Sequence, residues 1–578
     1  MIGAEYIAAF LEKQNCNNIF LVTGGACAFI VDAISRNPSL RYIPMHHEQS
    51  AAMAADVAWK VKRKVGVTLA TSGPGATNLI TGIACSYFDS IPSIHITGQV
   101  NKKEKIPFQN ANVRQAGFQE TKIVEMVKPI TKYAVKVNTT EELRKELAKA
   151  YAIALQDRKG PVLIDVPMDV QQAEVKEEIL LPKISTENLD IELCKEKINN
   201  FFRDSTQPLV LLGAGPGLSD KSEEVLKWLN LNSIPFVSSW NGMCFVKNNN
   251  KNYYGNIGVY GNRGANFILQ SCDRLLVLGS RLDNRQRGSN VDNFAPLADV
   301  LVLDVDEEEL KKHSNESRYS VQKFNFSSSQ ELFRDFNVKF SGKYNEWESF
   351  CNEIKSKYFG KYPSTSSQNY KSTNPCEIVE RVNTLIKPDS IVTVDTGANL
   401  CWVFQAFKRS EQIIFTAGGN SPMGYSLPAA IASAIECPDK QVISFIGDGS
   451  FQINIQELQT MSYHKLPLKL FIMNNFGYGI IKQFQDTWLE ARHEASGRVY
   501  SQPDFKKIAH AYNVSYRKIS SPRDIVKEDL NSKEAVIFDV FLHPDTLIEP
   551  KKVTGNPLHN MFPYLDLSSD SLEKKYIK

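Results

Sequence analysis

The chain has 578 residues, a length that suggests about three to four domains. Its hydrophobic content of 42% and charged content of 23% are ordinary for a globular protein, and a formal net charge of +3 gives no reason to invoke nucleic acid or an anionic membrane. No apolar run reaches membrane-spanning length, and the cysteines form no CxxC pair, so neither a zinc site nor a disulfide framework is indicated.

The opening MIGAEYIAAFLEKQN carries two glutamates and no basic start, so it reads as an amphipathic helix and not a signal peptide. Together with scattered free thiols this points to the cytoplasm. From there to about residue 172, helix and strand alternate. Short apolar runs end at Gly24-Gly25, at His46-His47-Glu48, in SGPGATN and at Gly98-Gln99. A small-residue helix, SAAMAADVAWKV, follows Glu48, its alanines suited to close packing. Repeated βα order predicts a parallel sheet with helices on both faces. Glu48 by position alone could simply favour the start of the helix behind it.

Residues 173–190 read as an exposed linker. A second α/β unit, about 190–340, carries strands ending in GAGPG, in GSRLDNRQRG and at Asp304-Val305-Asp306. The glycine turn is a weak dinucleotide signal by itself. Residues 340–373 begin as a surface helix and end as a Ser/Tyr-rich linker. A third unit spans about 374–545, and a Pro- and Lys-bearing tail, 546–578, reads as mobile or as a cover for the active site.

The third unit holds the most informative stretch, QVISFIGDGSFQINIQELQTMSYHKLPLKLFIMNNFGYG. It reads as strand, Gly447-Asp448-Gly449 turn, helix with Phe451, Ile455, Leu458 and Met461 on one face, strand, and Asn474-Asn475 turn. In a parallel sheet both turns fall at carboxyl ends, where open α/β sheets bind ligands. Glycines admit phosphate oxygens close to backbone N–H groups, and a following helix start favours negative charge. Asp448 and Asn475 offer the hard oxygen ligands that Mg²⁺ takes alongside a diphosphate. GDG alone would fit a plain βαβ turn; Asn-Asn at the next strand end makes the pair point to a metal diphosphate.

GDG followed at βαβ spacing by NN resembles the signature of thiamine diphosphate (ThDP) enzymes. HHEQSAAMAADVAW, ATSGPGATNLITGIACSYFDSIPSIHITGQV and GFQETKIVE resemble the N-terminal domain of acetohydroxyacid (acetolactate) synthases. The resemblance implies three doubly wound parallel-sheet α/β domains: pyrimidine-binding, central and diphosphate-binding. It implies Asp448, Asn475 and the Gly477 carbonyl as Mg²⁺ ligands, and Glu48 as the carboxyl that hydrogen-bonds N1′ of the cofactor's aminopyrimidine. Gly25, Phe118 and Gln119 would line the catalytic cleft. Gly397, Asn399, Gly447, Gly449 and Ser450 would hold the diphosphate, Gly419 would cradle the pyrimidine, and Met423 would wedge the cofactor into its bent form. Arg281, Asp283 and Asp306 are the implied flavin contacts, should FAD be bound.

The implied reaction is decarboxylation of pyruvate or a related 2-keto acid with transfer of the two-carbon unit to a carbonyl acceptor. Active sites would lie between subunits of a homodimer or homotetramer. Three departures from the synthases stand out, of which the first and third bear on the acceptor and the second on the diphosphate, whose binding should survive because Asn399 can still donate. The segment from Asn101 to Gly117 is longer than in the synthases, Gly397-Ala398-Asn399 replaces Gly-Gln-His, and Phe484 stands where they carry a tryptophan. A keto-sugar nucleotide acceptor, or an oxidase or decarboxylase outcome, therefore stands beside acetolactate formation.

Overall fold

The computed structural model describes residues 1–104, 113–184, 190–313, 315–362, 373–568 and 570–577. The middle of the Asn101–Gly117 segment lies outside the described residues. Three six-stranded sheets follow one another along the chain, and every strand pair within them is parallel.

The first sheet comprises β1 (Asn18–Val22), β2 (Arg41–Pro44), β3 (Gly66–Ala70), β4 (Ser93–Gln99), β5 (Tyr133–Lys136) and β6 (Val162–Pro167), in the order β2-β1-β3-β4-β6-β5. The second comprises β7 (Pro208–Leu212), β8 (Phe236–Ser238), β9 (Tyr253–Asn256), β10 (Arg274–Leu278), β11 (Asp299–Asp304) and β12 (Tyr319–Lys323), in the order β12-β11-β10-β7-β8-β9. The third comprises β13 (Ile391–Val394), β14 (Ile413–Phe415), β15 (Val442–Gly447), β16 (Lys469–Asn474), β17 (Ser515–Ile519) and β18 (Val536–Phe541), in the order β14-β13-β15-β16-β18-β17.

The first and third sheets thus repeat one winding, while the second has the order of dinucleotide-binding folds. In each, the order reverses between two neighbouring strands, β1/β3, β7/β10 and β13/β15. That reversal opens a crevice at the carboxyl ends of those strands. Buried β-branched and leucine-rich strands are what sheets covered on both faces require.

The alanine-rich reading of SAAMAADVAWKV has a structural outcome. Helix Glu48–Lys62 packs against helix Ser426–Glu436, and their alanines form one core joining the first and third units. Short side chains let the helix axes approach, so enlarging one would overpack the seam at a cost of about 1–3 kcal/mol. The predicted single helix after Gly449 is two, Asp448–Ile453 and Glu457–Tyr463, broken at Asn454. Asn454 turns its amide onto Gly424 O at 2.8 Å.

Among its described residues the tail packs against the central unit. Its short strands β19 (Lys551–Lys552) and β20 (Met561–Phe562) pair antiparallel. Arg263 donates to Met561 O and Pro563 O, and Tyr576 packs edge-on against Trp347 and Phe350. Polar composition suggested an exposed segment; a few apolar and aromatic anchors, Leu558, His559 and Tyr576, hold it to the central unit instead. No described helix is long and apolar enough to cross a membrane.

Candidate active site

The crevice of the third sheet is a cleft of about 580 Å³. Its walls include Gly397, Asn399, Met423, Asp448, Asn475 and Gly477. Gly447, Gly449 and Ser450 also face it. Gly397 has φ +88° and nothing within 4 Å of where a Cβ would stand, so the chain there is bare backbone facing open space. Helix Ala398–Ala406 starts at that point, presenting the unpaired N–H groups of its first turn.

Asp448 is buried, and its two oxygens accept from Gly449 N at 2.9 Å and Gly477 N at 3.0 Å. The second bond depends on Phe476, whose φ of +54° folds the chain back after Asn475. A left-handed backbone at a bulky residue is a strained arrangement of the kind that clusters at binding sites. Burial pushes the Asp448 carboxyl up to about 7, against the pull of those two N–H groups. A neighbouring cation would relieve that cost. Asn475 is also buried in the cleft wall, and its Nδ2 has no hydrogen-bond partner. One carboxylate, the Asn475 amide oxygen and the Gly477 carbonyl would make a sparse, all-oxygen set, with Asn475 Nδ2 free to donate to a phosphate oxygen. It suits a cation that completes its shell with diphosphate oxygens and water. No cluster of three or more His, Cys, Asp or Glu able to hold a metal occurs among the described residues, which is compatible with this set because it contains a single carboxylate.

Asn399 differs from expectation. Its Nδ2 points inward, to Asp395 O at 3.2 Å and Phe445 O at 3.0 Å, leaving a buried Oδ1 without a partner. Donation toward the cleft at this position falls to the backbone of the helix start, not to the side chain.

The corresponding crevice of the first sheet carries Glu48. The residue begins helix Glu48–Lys62, is 8% exposed, and accepts from Asn78 Nδ2 at 2.9 Å through Oε2. Gly75 presses close to its other oxygen, Oε1. Asn78, which fixes the rotamer, escaped sequence reading because nothing local ties it to a residue thirty positions earlier. Gly25 is exposed with open space where a Cβ would lie. Gln119 lies against Gly73 with φ +59°, and Phe118 is 81% exposed. None of these residues lines the 580 Å³ cleft, whose first wall residue in chain order is Trp240.

Gly419 and its neighbours sit against the first unit: a Cβ at Gly419 would fall 2.6 Å from Phe88 Cβ. Arg285, from the end of the second sheet, faces the cleft and is the single Lys or Arg among its wall residues.

A second groove lies at the β7/β10 crevice of the central sheet, walled by Gly215, Gly279, Arg281, Asp283 and Asp304. Two of the expected flavin contacts, Arg281 and Asp283, are in that wall. Asp306 is turned aside. It caps helix Glu307–Lys311 and pairs at 2.7 Å with Arg158, which reaches over from the first unit to Glu309 as well. Asp304 takes the wall position, its carboxyl pushed up to about 6 by burial. Trp240 and Arg285 line both groove and cleft, so the two cavities adjoin.

The chain matches three family profiles. They are the thiamine pyrophosphate enzyme N-terminal TPP binding domain over residues 1–126, the central domain over 196–323, and the C-terminal TPP binding domain over 395–540. It is 31% identical over 523 residues to the acetolactate synthase isozyme 2 large subunit of Escherichia coli, covering 90% of this chain and 91% of that one. It is 32% identical over 582 residues to a probable acetolactate synthase large subunit of Methanocaldococcus jannaschii, covering 97% and 95%. The acetolactate synthase large subunit of Lactococcus lactis is 29% identical over 562 residues, covering 96% and 94%.

Proposed function

The chain belongs to the thiamine pyrophosphate enzymes of the acetolactate synthase-like family, and from that premise we propose that it decarboxylates pyruvate and joins the two-carbon unit to a second keto acid. The observation that carries this reading is the matched placement of Glu48 and Asp448. Each stands at the carboxyl-end crevice of a sheet with the same strand order, one able to serve the cofactor's pyrimidine and the other its metal diphosphate.

When bound, thiamine diphosphate supplies a cationic thiazolium that takes up the electron pair left by departing carbon dioxide. The chain's residues do the rest. Asp448, Asn475 and the Gly477 carbonyl would hold Mg²⁺, and the helix start at Gly397–Ala398 would receive the diphosphate. Met423 would keep the cofactor bent, which brings its reacting groups within reach of one another. Glu48, its rotamer fixed by Asn78, would hold the proton at N1′, and so favour the tautomer whose exocyclic nitrogen is a base. Gly25, Phe118 and Gln119 would close the pyrimidine side. Because Glu48 shares no wall with the diphosphate cleft of its own chain, a homodimer is the smallest working unit in this reading, and a homotetramer would pair two.

Arg285 supports a keto-acid acceptor, since a lone guanidinium at the rim of a cleft is matched to a carboxylate. The central groove supports FAD: it sits at the switch point of a dinucleotide-type sheet, and Arg281, Asp283 and Asp304 offer it polar groups.

The test is mass spectrometry of products from ¹³C-pyruvate given alone and with a panel of keto acids, aldehydes and keto-sugar nucleotides. The reading expects doubly labelled acetolactate from pyruvate alone. Label carried only into an added keto-sugar nucleotide would replace it with the sugar-branching alternative. Acetaldehyde or acetate as sole product would replace it with a decarboxylase or oxidase.

A further inference from the structure

Residues 417–424 form a loop that carries Met423 to the diphosphate cleft, and this loop is gripped at both ends by buried carboxylates from different units. Asp395, following β13, accepts from Gly424 N at 3.1 Å and Ser426 N at 2.8 Å. Asp89, at the end of helix Ile80–Phe88 in the first unit, accepts from Gly418 N at 3.0 Å and Gly419 N at 2.8 Å. Asp89 is faced by Lys60 at 3.3 Å. The same ammonium meets Asp56 at 2.9 Å, Thr416 O at 3.0 Å and the Tyr425 hydroxyl at 3.0 Å. Thr416 and Tyr425 bracket the loop, so Lys60 holds both of its stems while Asp89 holds its entry.

Lys60 and Asp89 are buried, and neither Lys60, Asp56 nor Asp89 lines the cleft. Buried ion clusters add little to stability compared with well-packed apolar side chains, because desolvation cancels most of the attraction. What they fix is geometry. Two N–H groups aimed at one carboxylate set the peptide planes of Gly418 and Gly419. Beyond them Ser421, at φ +52°, is bonded to Thr396 at 2.6 Å and to Arg285 at 3.2 Å.

We propose that Lys60 and Asp89 are positioning residues for the cofactor, acting through the loop to set Gly419 and Met423. The inference rests on the cofactor reading above. It makes the first unit contribute twice, through Glu48 to one copy of the site and through Lys60 and Asp89 to the loop of its own chain.

The experiment uses full-length Asp89→Asn. This variant leaves one carboxylate, Asp56, against one ammonium, so no buried charge is left without a partner and the fold is expected to be retained. Two quantities are read: the dissociation constant for thiamine diphosphate with Mg²⁺ by calorimetry, and hydrogen exchange of peptides covering 416–426 in the cofactor-free protein. The expected result is at least tenfold weaker binding, and exchange at 416–426 faster by a similar factor, with β15 and β16 unchanged. Tyr425→Phe, which alters no charge, is expected to move both readouts the same way by a few-fold. Wild-type affinity and wild-type exchange in Asp89→Asn would overturn the proposal, as would exchange that rises throughout the third unit. Absence of thiamine diphosphate binding in the unmodified protein would overturn the cofactor reading instead, and the exchange measurement would still report on the clamp.

Discussion

Arg285 donates from Nη1 to Ser421 Oγ across 3.2 Å, tying the end of the central sheet to the loop that carries Met423. The bond is exposed, so it contributes little to stability. Its value lies in aiming the guanidinium along the rim of the cleft. Arg285→Ala is therefore expected to raise the half-saturating concentration of the acceptor keto acid by roughly 10–100-fold, the loss of about 1.5–3 kcal/mol that a charged hydrogen bond carries. Decarboxylation of the first pyruvate should slow far less. The measurement is the ratio of ligated product to released acetaldehyde; an unchanged ratio would refute the assignment.

Glu48→Gln keeps the side chain's shape and its bond from Asn78 but cannot share a proton with N1′. Cofactor affinity is expected to stay within about threefold of wild type, while exchange of the thiazolium C2 proton and overall turnover fall by about 10²–10⁴-fold. Exchange followed by proton NMR after quenching decides it, and wild-type exchange in the variant would sink the role.

Asp448→Ala should behave oppositely, losing Mg²⁺-dependent cofactor binding. The two variants together test the division of the site between chains. Each alone is expected to be nearly inactive, yet mixed, unfolded and refolded at equal amounts they should recover about a quarter of wild-type activity. Half the random dimers then contain one intact site of two. No recovery under conditions where wild type refolds would show that the two residues serve one chain.

The pH dependence of stability isolates Asp395. Burial lifts its carboxyl to about 6, against the N–H groups that favour the charged form. A folded value above the unfolded one, near 3.9, means the folded state holds the proton more tightly. The associated stability is fully present below about pH 4 and is lost as pH rises through about 6. Asp395→Asn cannot titrate. In paired urea titrations of cofactor-free protein, the wild type should therefore gain on the variant by on the order of 3 kcal/mol between about pH 7.5 and pH 4. A flat difference would contradict the linkage. Comparison with the variant cancels the opposing contribution of His95 and His313, which burial holds at about 3 and about 4.

The parallel α/β character of the first and third units, though not their strand order, was legible where residue type is dictated by backbone demands. Gly397 stands where a side chain would enter open space, Gly449 where a Cβ would fall 2.3 Å from the Tyr478 ring, and Asp448 and Asn475 follow strands whose apolar runs are unambiguous. The residues that orient those groups left no such trace. Asn78 finds Glu48, Asp89 finds Gly418 and Gly419, and Arg158 finds Asp306 only after distant segments meet. Asn399 shows the converse. Its polar type suggested a ligand donor, but a buried helix start needed its amide more. The order of the central sheet likewise depends on which strand each crossover joins, which no local pattern records.

The tail fixes the sequence of events during synthesis. Helix Asn345–Tyr358 covers the central sheet with Trp347 and Phe350, and those rings are themselves covered by Tyr576, while Lys357 and Tyr358 pair with Glu573. The strands of that sheet emerge from the ribosome before any strand of the third. The helix that covers it nonetheless waits for Tyr576 and Glu573 until some two hundred further residues have been made. The central unit is second to be translated and last to be finished, so a nascent chain stalled within the third unit exposes aromatic surface for chaperones to find.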